Sequence, residues 1–438
     1  MIARVRGRAR GFWRSALVRN ATGLYILQVG SWLLPLATIA FLARRLGPEN
    51  WGSLAFMQAL GGYVIYLISY GFNWSATRDV ARNRYNPDRL ADLLAGVIGA
   101  KLALALLALL IVVPAGALVP AIHSHQSLLW PAMLWAFSSG FTPSWFYQGL
   151  ERMGFVARWD TLARLLSLAV ILVVVRTPAD TWKVLAVQGG LLLVATCVEL
   201  GAAYRMVTFR LPTPRLAWQS LRLGWNTFLL AGAVSFYTIG NAFILGLFGS
   251  SAAVAYFAGA ERLVKAFGSV VTPLTQAVFP RTSRLAASAR GEAARLARNS
   301  LFVLGAAGCV WGLAAFVMAP LLIQLLLGPG FEAAIPVLRI LALLPPLVAL
   351  SQVLAVQWML ALGLDRLVNA VVFCASVLNV TLAFILVPRS MEIGMAIAVV
   401  ASEAFLTVGL YGVLRIRHLD PLVLAGVRDE EVVVPVPA

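Results

Sequence analysis

The sequence predicts an all-α polytopic membrane protein, with about twelve transmembrane helices in two six-helix lobes related by a pseudo-two-fold axis along the membrane normal. Three observations predict it. Of 438 residues, 61% are hydrophobic and 12% charged, a balance that cannot coat a soluble globule with polar groups but suits a bilayer. Uncharged apolar stretches recur about twelve times, and arginines collect in every second gap between them. The two halves, residues 1–210 and 211–438, also share a hairpin pattern, so the first is expected to hold helices 1–6 and the second helices 7–12 with a basic cytoplasmic tail.

A helix crosses ~30 Å of hydrocarbon with ~20 mostly apolar residues. Stretches of that order fall near 21–43, 52–73, 93–119, 127–149, 161–175, 184–204, 223–249, 252–279, 300–327, 336–362, 368–387 and 393–414. The fifth is short and needs Arg164 to snorkel toward the headgroups, which leaves counts of ten or eleven open.

Cytoplasmic loops retain Lys and Arg, so orientation follows from where these residues lie. Six arginines between Arg4 and Arg19 precede the first span; Arg78 to Arg89, Arg152 and Arg158, Arg205 to Arg222, Arg281 to Arg298, Arg366, and Arg415 to Arg428 follow the even-numbered spans. The odd-numbered gaps hold only Arg44, Arg45, Arg176, Lys183 and Arg389. Both termini are therefore expected in the cytoplasm of a bacterial inner membrane. The net charge of +17 is mostly topological, with a modest attraction to anionic membrane lipid and no reason to expect nucleic acid.

Several chemistries lack their residues. The Arg-rich start runs into an apolar stretch too long for a signal-peptide core and reads as an uncleaved first span. Cys197, Cys309 and Cys374 lie in separate spans, which argues against disulfides and zinc. His123 and His125 share a short outer loop without further ligands, so no metal and no cofactor is expected. No GxxxxGK[ST] occurs, and hence no phosphate-cradling ATPase loop. A membrane glycosyl polymerase would need a long outer loop, whereas these outer gaps are short, and Asp429, Glu430 and Glu431 sit in a Pro-ending tail. The protein is not expected to be an enzyme.

Internal correspondence supports a parallel repeat. Asn20 and Asn226 lie near the starts of the first and seventh spans, Gly47 and Gly249 mark outer turns, and Arg78 and Arg281 close the second helix of each half. A repeat of six spans preserves orientation, the plan of transporters that rock two lobes about a central site.

Charges within spans cost ~2.5–3.5 kcal/mol each at a helix centre even on the lenient insertion scale, so they mark function. The densest cluster is Glu261, Arg262 and Lys265 in the eighth span, on one arc of the helix, with Glu261 and Lys265 spaced as an i,i+4 pair and one positive charge left over. The arrangement suits either a self-neutralising ion pair or the cationic wall of a water-filled cavity between the lobes. Lys101 and Arg339 lie near enough to span ends to snorkel, while Glu199 and Glu403 are deeper acids. Pro35, Pro143, Pro273, Pro345 and Pro346 are expected to bend their spans.

Four stretches resemble a known family: Leu46 to Gly52 (LGPENWG), Tyr70 to Arg78 (YGFNWSATR), Trp145 to Met153 (WFYQGLERM), and Tyr256 to Arg262 followed by Pro280-Arg281. They are similar to the polysaccharide (O-antigen type) flippases of the multidrug, oligosaccharidyl-lipid and polysaccharide exporter superfamily. The resemblance implies a flippase carrying undecaprenyl-diphosphate-linked oligosaccharide repeat units from the cytoplasmic to the periplasmic leaflet by alternating access, for O-antigen, capsule or exopolysaccharide biosynthesis. A drug or peptidoglycan-precursor exporter of the same superfamily is the alternative, and a glycosyl polymerase a more distant one. On this reading Arg262 and Lys265 bind the diphosphate, Arg78 and Arg281 capture it at the cytoplasmic mouth, and Glu261, Glu199 and Glu403 are candidates for coupling to a proton or sodium counter-ion. Implied partners are a polysaccharide polymerase and a chain-length regulator.

Overall fold

The computed structural model describes residues 38–424, with backbone alone for 226, 229–231, 233–239, 267–270, 272–274, 276 and 277. The arginines from Arg4 to Arg19, Asn20, Pro35, most of the first span, Arg428 and the acids Asp429, Glu430 and Glu431 lie outside the described residues. Every regular element among those described is helical. The fold is all-α, with transmembrane helices in two six-helix lobes. The end carrying the arginine-rich gaps is called here the basic end, and the other the sparse end.

Helix α1 spans 38–69 and is interrupted at Gly47, whose φ of 70° lies in the left-handed region that a residue with a Cβ resists. Tyr70 and Gly71, at φ 44° and 72°, separate α1 from α2 (Phe72–Arg82). Asn86 caps α3 (Pro87–Leu118) by accepting the Arg89 N–H at 3.0 Å. The turn α4 (Pro120–His123) leads to α5 (Gln126–Phe141), which stops before Pro143 and is followed by the short α6 (Ser144–Gly149). The first half ends with α7 (Met153–Val174) and α8 (Thr181–Tyr204). Between them Thr177 and Asp180 form a capping box. Hydrogen bonds from Lys183 and from the Thr177 and Arg176 N–H groups hold the Asp180 carboxyl well below the usual carboxylate range, so this turn stays charged until far into acid.

The second half starts with α9 (Pro214–Phe248) and α10 (Ser251–Ser288), capped by Thr213 and Ser250. Then come α11 (Arg290–Val317), α12 (Ala319–Leu326), α13 (Ala334–Leu341), and α14 (Leu344–Gln352), which continues as a π-helix over Val353–Met359. Next is α15 (Asp365–Ile416), and α16 (Pro421–Leu424) closes the described chain. Although α15 runs as one helical segment, Ser390 and Met391 have non-helical backbone, Met391 at φ 46°. Asn379 Nδ2 donates to Ser402 Oγ at 3.2 Å, although 23 residues of straight helix would place them ~35 Å apart. The chain therefore doubles back there, giving the eleventh and twelfth spans.

Three expectations change. The fifth span is not short: α7 has 22 residues, ~33 Å of helix, because its first turns are polar and escaped an apolar window. Pro143, Pro345 and Pro346 begin new helices instead of bending old ones, since a proline is accommodated where the N–H would be unpaired anyway. Gly47 and Gly249 are not conformational equivalents, since Gly249 is extended at φ −107° and ψ 175°.

The apolar core is continuous across both halves at the sparse end. Trp51, Leu54, Phe56 and Met57 of α1 share one cluster with Val254 and Phe257 of α10 and with Phe331, which precedes α13. Toward the basic end the core divides. One cluster joins Phe72, Leu94, Trp145 and Phe146, while a separate one joins Ala294, Val353, Trp358 and Leu410. Helix α9 starts against the first-half cluster through Ala217 and Phe228 and ends in the shared one through Leu245.

Lipid tails are as apolar as leucine, so helices in a membrane associate mainly by close packing of small residues. Gly52 shows how close. A Cβ placed there would lie 1.7 Å from the Ser251 carbonyl oxygen, and one at Gly259 2.6 Å from Leu327. A Cβ on Gly190 of α8, in contrast, meets nothing within 4 Å. Gly52→Val should therefore cost at least ~1–3 kcal/mol by overpacking. Gly190→Ala should stabilise α8 by up to ~1 kcal/mol through helix propensity. Thermal melting of the detergent-solubilised chain checks both; equal shifts for the two would contradict the packing of the sparse end.

Candidate functional site

Glu261, Arg262 and Lys265 lie ten to fourteen residues into α10, ~15–21 Å from its sparse-end start. The helix places them on one arc, but their partners differ. Glu261 is 9% exposed, accepts the Lys265 ammonium at 3.0 Å, and takes a further hydrogen bond from Asn241 Nδ2 at 3.3 Å. The Lys265 side chain remains 52% exposed, so the pair neutralises Glu261 without sealing the ammonium away.

Arg262 is not part of that pair. It reaches across to the first half, where its Nη2 donates to Gln58 Oε1 at 2.7 Å and its guanidinium carbon sits 5.2 Å from the Trp51 ring centroid. Trp51 in turn meets Phe331 edge-on at 5.9 Å. Toward the sparse end the halves are joined further: Ser53 Oγ bonds Ser251 Oγ at 3.1 Å, and His125 Nε2 approaches the same hydroxyl at 3.1 Å. Arg44 donates to the Leu325 carbonyl at 2.5 Å, and Phe56 stacks on Phe243 at 5.5 Å. A cavity of about 280 Å³ opens beside Phe56, His125 and Ser251, and neither Arg262 nor Lys265 lines it.

Arg78 on α2 and Arg281 on α10 are both exposed and lie toward the basic ends of their helices. They are not brought together with the mid-membrane cluster. Arg339 is exposed, with its guanidinium 5.5 Å from the Phe316 ring centroid, as a residue at a span end would be.

Lys101 differs from its expected place. It lies midway along α3, is 2% exposed, and cannot snorkel. Its Nζ donates to the carbonyls of Gly140 at 2.7 Å and Thr142 at 3.3 Å. Because α5 ends at Phe141 and Thr142 leaves helical geometry, these carbonyls lack donors from a following turn, and the ammonium replaces them.

The remaining acids occupy two separate sites. Glu199 on α8 is fully buried, and among the described residues neither carboxylate oxygen has a hydrogen-bond partner. Tyr147 donates to its backbone carbonyl at 2.7 Å, and Asp160 of α7 likewise keeps a carboxylate oxygen buried without a hydrogen-bond partner among the described residues. Glu403, in the second arm of α15, is 7% exposed and accepts the Ser351 hydroxyl at 2.7 Å.

Gln58, Asn241, Asp160 and Ser351 are not singled out by the sequence, and Trp51 enters it only within the Leu46 to Gly52 stretch. Gln58 and Asn241 interrupt apolar runs, a visible signal. Asp160 falls just outside the fifth span as read from the sequence.

Comparison with known proteins gives a consistent result. Residues 17–286 match the family model described as "Polysaccharide biosynthesis protein". Two proteins named "Putative O-antigen transporter" align with most of the chain. The one from Escherichia coli (strain K12) is 31% identical over 397 residues, covering 90% of this chain and 95% of its own. The one from Shigella dysenteriae is 25% identical over 400 residues, covering 89% and 97%. Two solved structures share the fold. An inward-facing multidrug resistance MATE family transporter of the MOP superfamily has a TM-score of 0.67 at 17% identity, covering 88% of this chain and 94% of that one. The lipid II flippase MurJ in an inward closed conformation has a TM-score of 0.68 at 13% identity, covering 92% and 90%. With more than half its length matched by the family model and a 31% identical relative aligned nearly end to end, this chain belongs to the polysaccharide biosynthesis protein family.

Proposed function

We propose that the protein is a flippase that carries undecaprenyl-diphosphate-linked oligosaccharide repeat units across the inner membrane, from the cytoplasmic to the periplasmic leaflet, for surface polysaccharide assembly. The observation that carries this reading is the divided core: one apolar cluster at the sparse end, two at the basic end. If the basic end is cytoplasmic, as read from the arginine distribution, the two lobes, taken as 1–210 and 211–438, are closed toward the periplasm, while toward the cytoplasm the cluster of Ala294, Val353, Trp358 and Leu410 is separate from the first-half cluster, which α9 joins through Ala217 and Phe228.

A diphosphate cannot cross hydrocarbon unaided, because an unpaired charge in a low-dielectric medium costs far more than the insertion of any neutral group. Arg78 and Arg281 would meet it at the mouth. Lys265 and then Arg262 would hold it at the membrane midplane, while the polyprenyl tail stays in the bilayer. The excess of cations over acids in the cluster favours an anionic substrate over the cationic drugs of an exporter. Of the candidate acids, Glu261 is already neutralised by Lys265, so Glu199 and Glu403 better suit a counter-ion, whether proton or sodium. A polymerase and a chain-length regulator would act on the delivered unit.

Cysteine labelling at positions 84, 158, 215 and 290 should proceed only from the cytoplasmic side; periplasmic labelling at 215 or 290 would overturn the orientation and the transport direction with it. Deleting the protein should abolish surface polysaccharide while the lipid-linked unit continues to be made. Arg262→Glu should lower translocation of a labelled lipid-linked oligosaccharide at least ~tenfold. Arg262→Lys should retain more, because a diphosphate needs positive charge before it needs a planar fork. Membrane abundance measured in parallel separates transport from folding, and unimpaired translocation by Arg262→Glu would remove Arg262 from the head-group site.

A further inference from the structure

Arg262 occupies the inner edge of the seam between the halves. Ser53 and Ser251 meet near the sparse end, and Gln58 and Arg262 meet five residues deeper on α1 and eleven deeper on α10. One turn further toward the basic end, the Lys265 side chain is half exposed. Trp51 and Gln58 are seven residues apart on α1, two helical turns, and so present one face. The guanidinium lies across that face, bonded to Gln58 at 2.7 Å and held against the Trp51 ring.

This contact joins a charged donor to a neutral acceptor. A guanidinium carries five N–H donors, and its hydrogen bonds to anionic phosphate oxygens are about twice as strong as neutral ones and can be bidentate. Glu261, the adjacent acid, is hydrogen-bonded by Lys265 and Asn241 and acts on Arg262 through its charge, so among the described residues Gln58 is the guanidinium's hydrogen-bonded side-chain partner. A diphosphate arriving from the basic end would meet Lys265 first and then compete with the Gln58 oxygen for Arg262.

We propose that Gln58 and Trp51 are positioning residues that hold Arg262 as a latch across the seam, and that a diphosphate head group displaces Gln58 from the guanidinium, so that capture at the basic end loosens the sparse end. This rests on the reading of Arg262 as a head-group residue. Trp51 also packs on Phe331 of the second half, so once the guanidinium is freed the Trp51–Phe331 contact and the Gly52 and Ser53 contacts with Ser251 remain as the neighbouring closure. Substrate binding and seam opening are then coupled through one side chain, and the coupling is reciprocal.

The test uses the full-length chain in nanodiscs, with Cys197, Cys309 and Cys374 replaced by alanine and the pair Ser53→Cys and Ser251→Cys introduced across the seam. Undecaprenyl diphosphate is the probe, read out by its affinity and by the yield of the disulfide. Saturating probe should lower the disulfide yield. Gln58→Leu, and the closer isostere Gln58→Met, should raise affinity for the probe about fivefold, because a competitor for Arg262 is gone. Both should lower the disulfide yield before any probe is added, whereas Gln58→Glu should weaken binding. A purely structural Gln58 would give unchanged or weaker binding in the Leu and Met variants, and that result overturns the latch, as does a disulfide yield indifferent to the probe. Arg262→Ala distinguishes the two levels. If it binds the probe as the parent does, the head-group reading itself fails; if it loses binding while Gln58→Leu and Gln58→Met gain none, only the latch fails.

Discussion

Helices in a bilayer cannot be driven together by hiding apolar surface from water, so a seam between two membrane lobes depends on how closely their backbones can approach. In this protein the approach is set at Gly52, which leaves no room for a side chain against the Ser251 carbonyl. The first turns of α10 carry small residues on the same face as Ser251, namely Ala255 and Ala258, both buried. From this packing follow the shared core at the sparse end, the position of Trp51 against Phe331, and the distance across which Arg262 reaches Gln58.

A second line of contact behaves differently. Aromatic residues of α1 and of the turn after it meet glycines of α9 along the membrane: Phe56 at Gly246, Tyr63 at Gly240, Tyr66 at Gly232 and, in the turn, Tyr70 at Gly224. Tyr66 also donates to the Phe228 carbonyl, and Tyr70 stacks on Phe228 at 4.5 Å. This line continues toward the basic end, where the α10 side of the shared core has given way to separate clusters. The α1–α9 contact thus extends from the sparse end to the basic end, whereas the α1–α10 contact lies toward the sparse end.

The charges within the spans show three physical solutions to one cost. Lys101 donates to carbonyls left open where α5 ends, a structural role that fixes that helix end. Glu261 is met by an ammonium and an amide. Glu199 has no donor among the described residues, and a buried carboxyl in that condition is stable only when neutral or beside a cation. The same residue types therefore divide into architecture, cluster and ion-site candidate according to what surrounds them.

The sequence by itself determined the fold class, most of the span positions and the alternation of ends, because bilayer thickness and charge retention act on local composition. It also located the α10 cluster, because i, i+1 and i+4 spacings define a helix face without tertiary information. It could not show that the fifth span begins at Met153, since polar residues in a helical turn outside the hydrocarbon look the same as a loop. Nor could it separate Lys101, bound to the end of another helix, from a snorkelling lysine, because its partners lie 39 and 41 residues away. Gln58 and Arg262 are 204 residues apart, and Gly52 and Ser251 nearly as far. Only the tertiary structure could pair them, because contacts between residues about 200 positions apart depend on how whole helices are set against one another, and local composition carries no record of that.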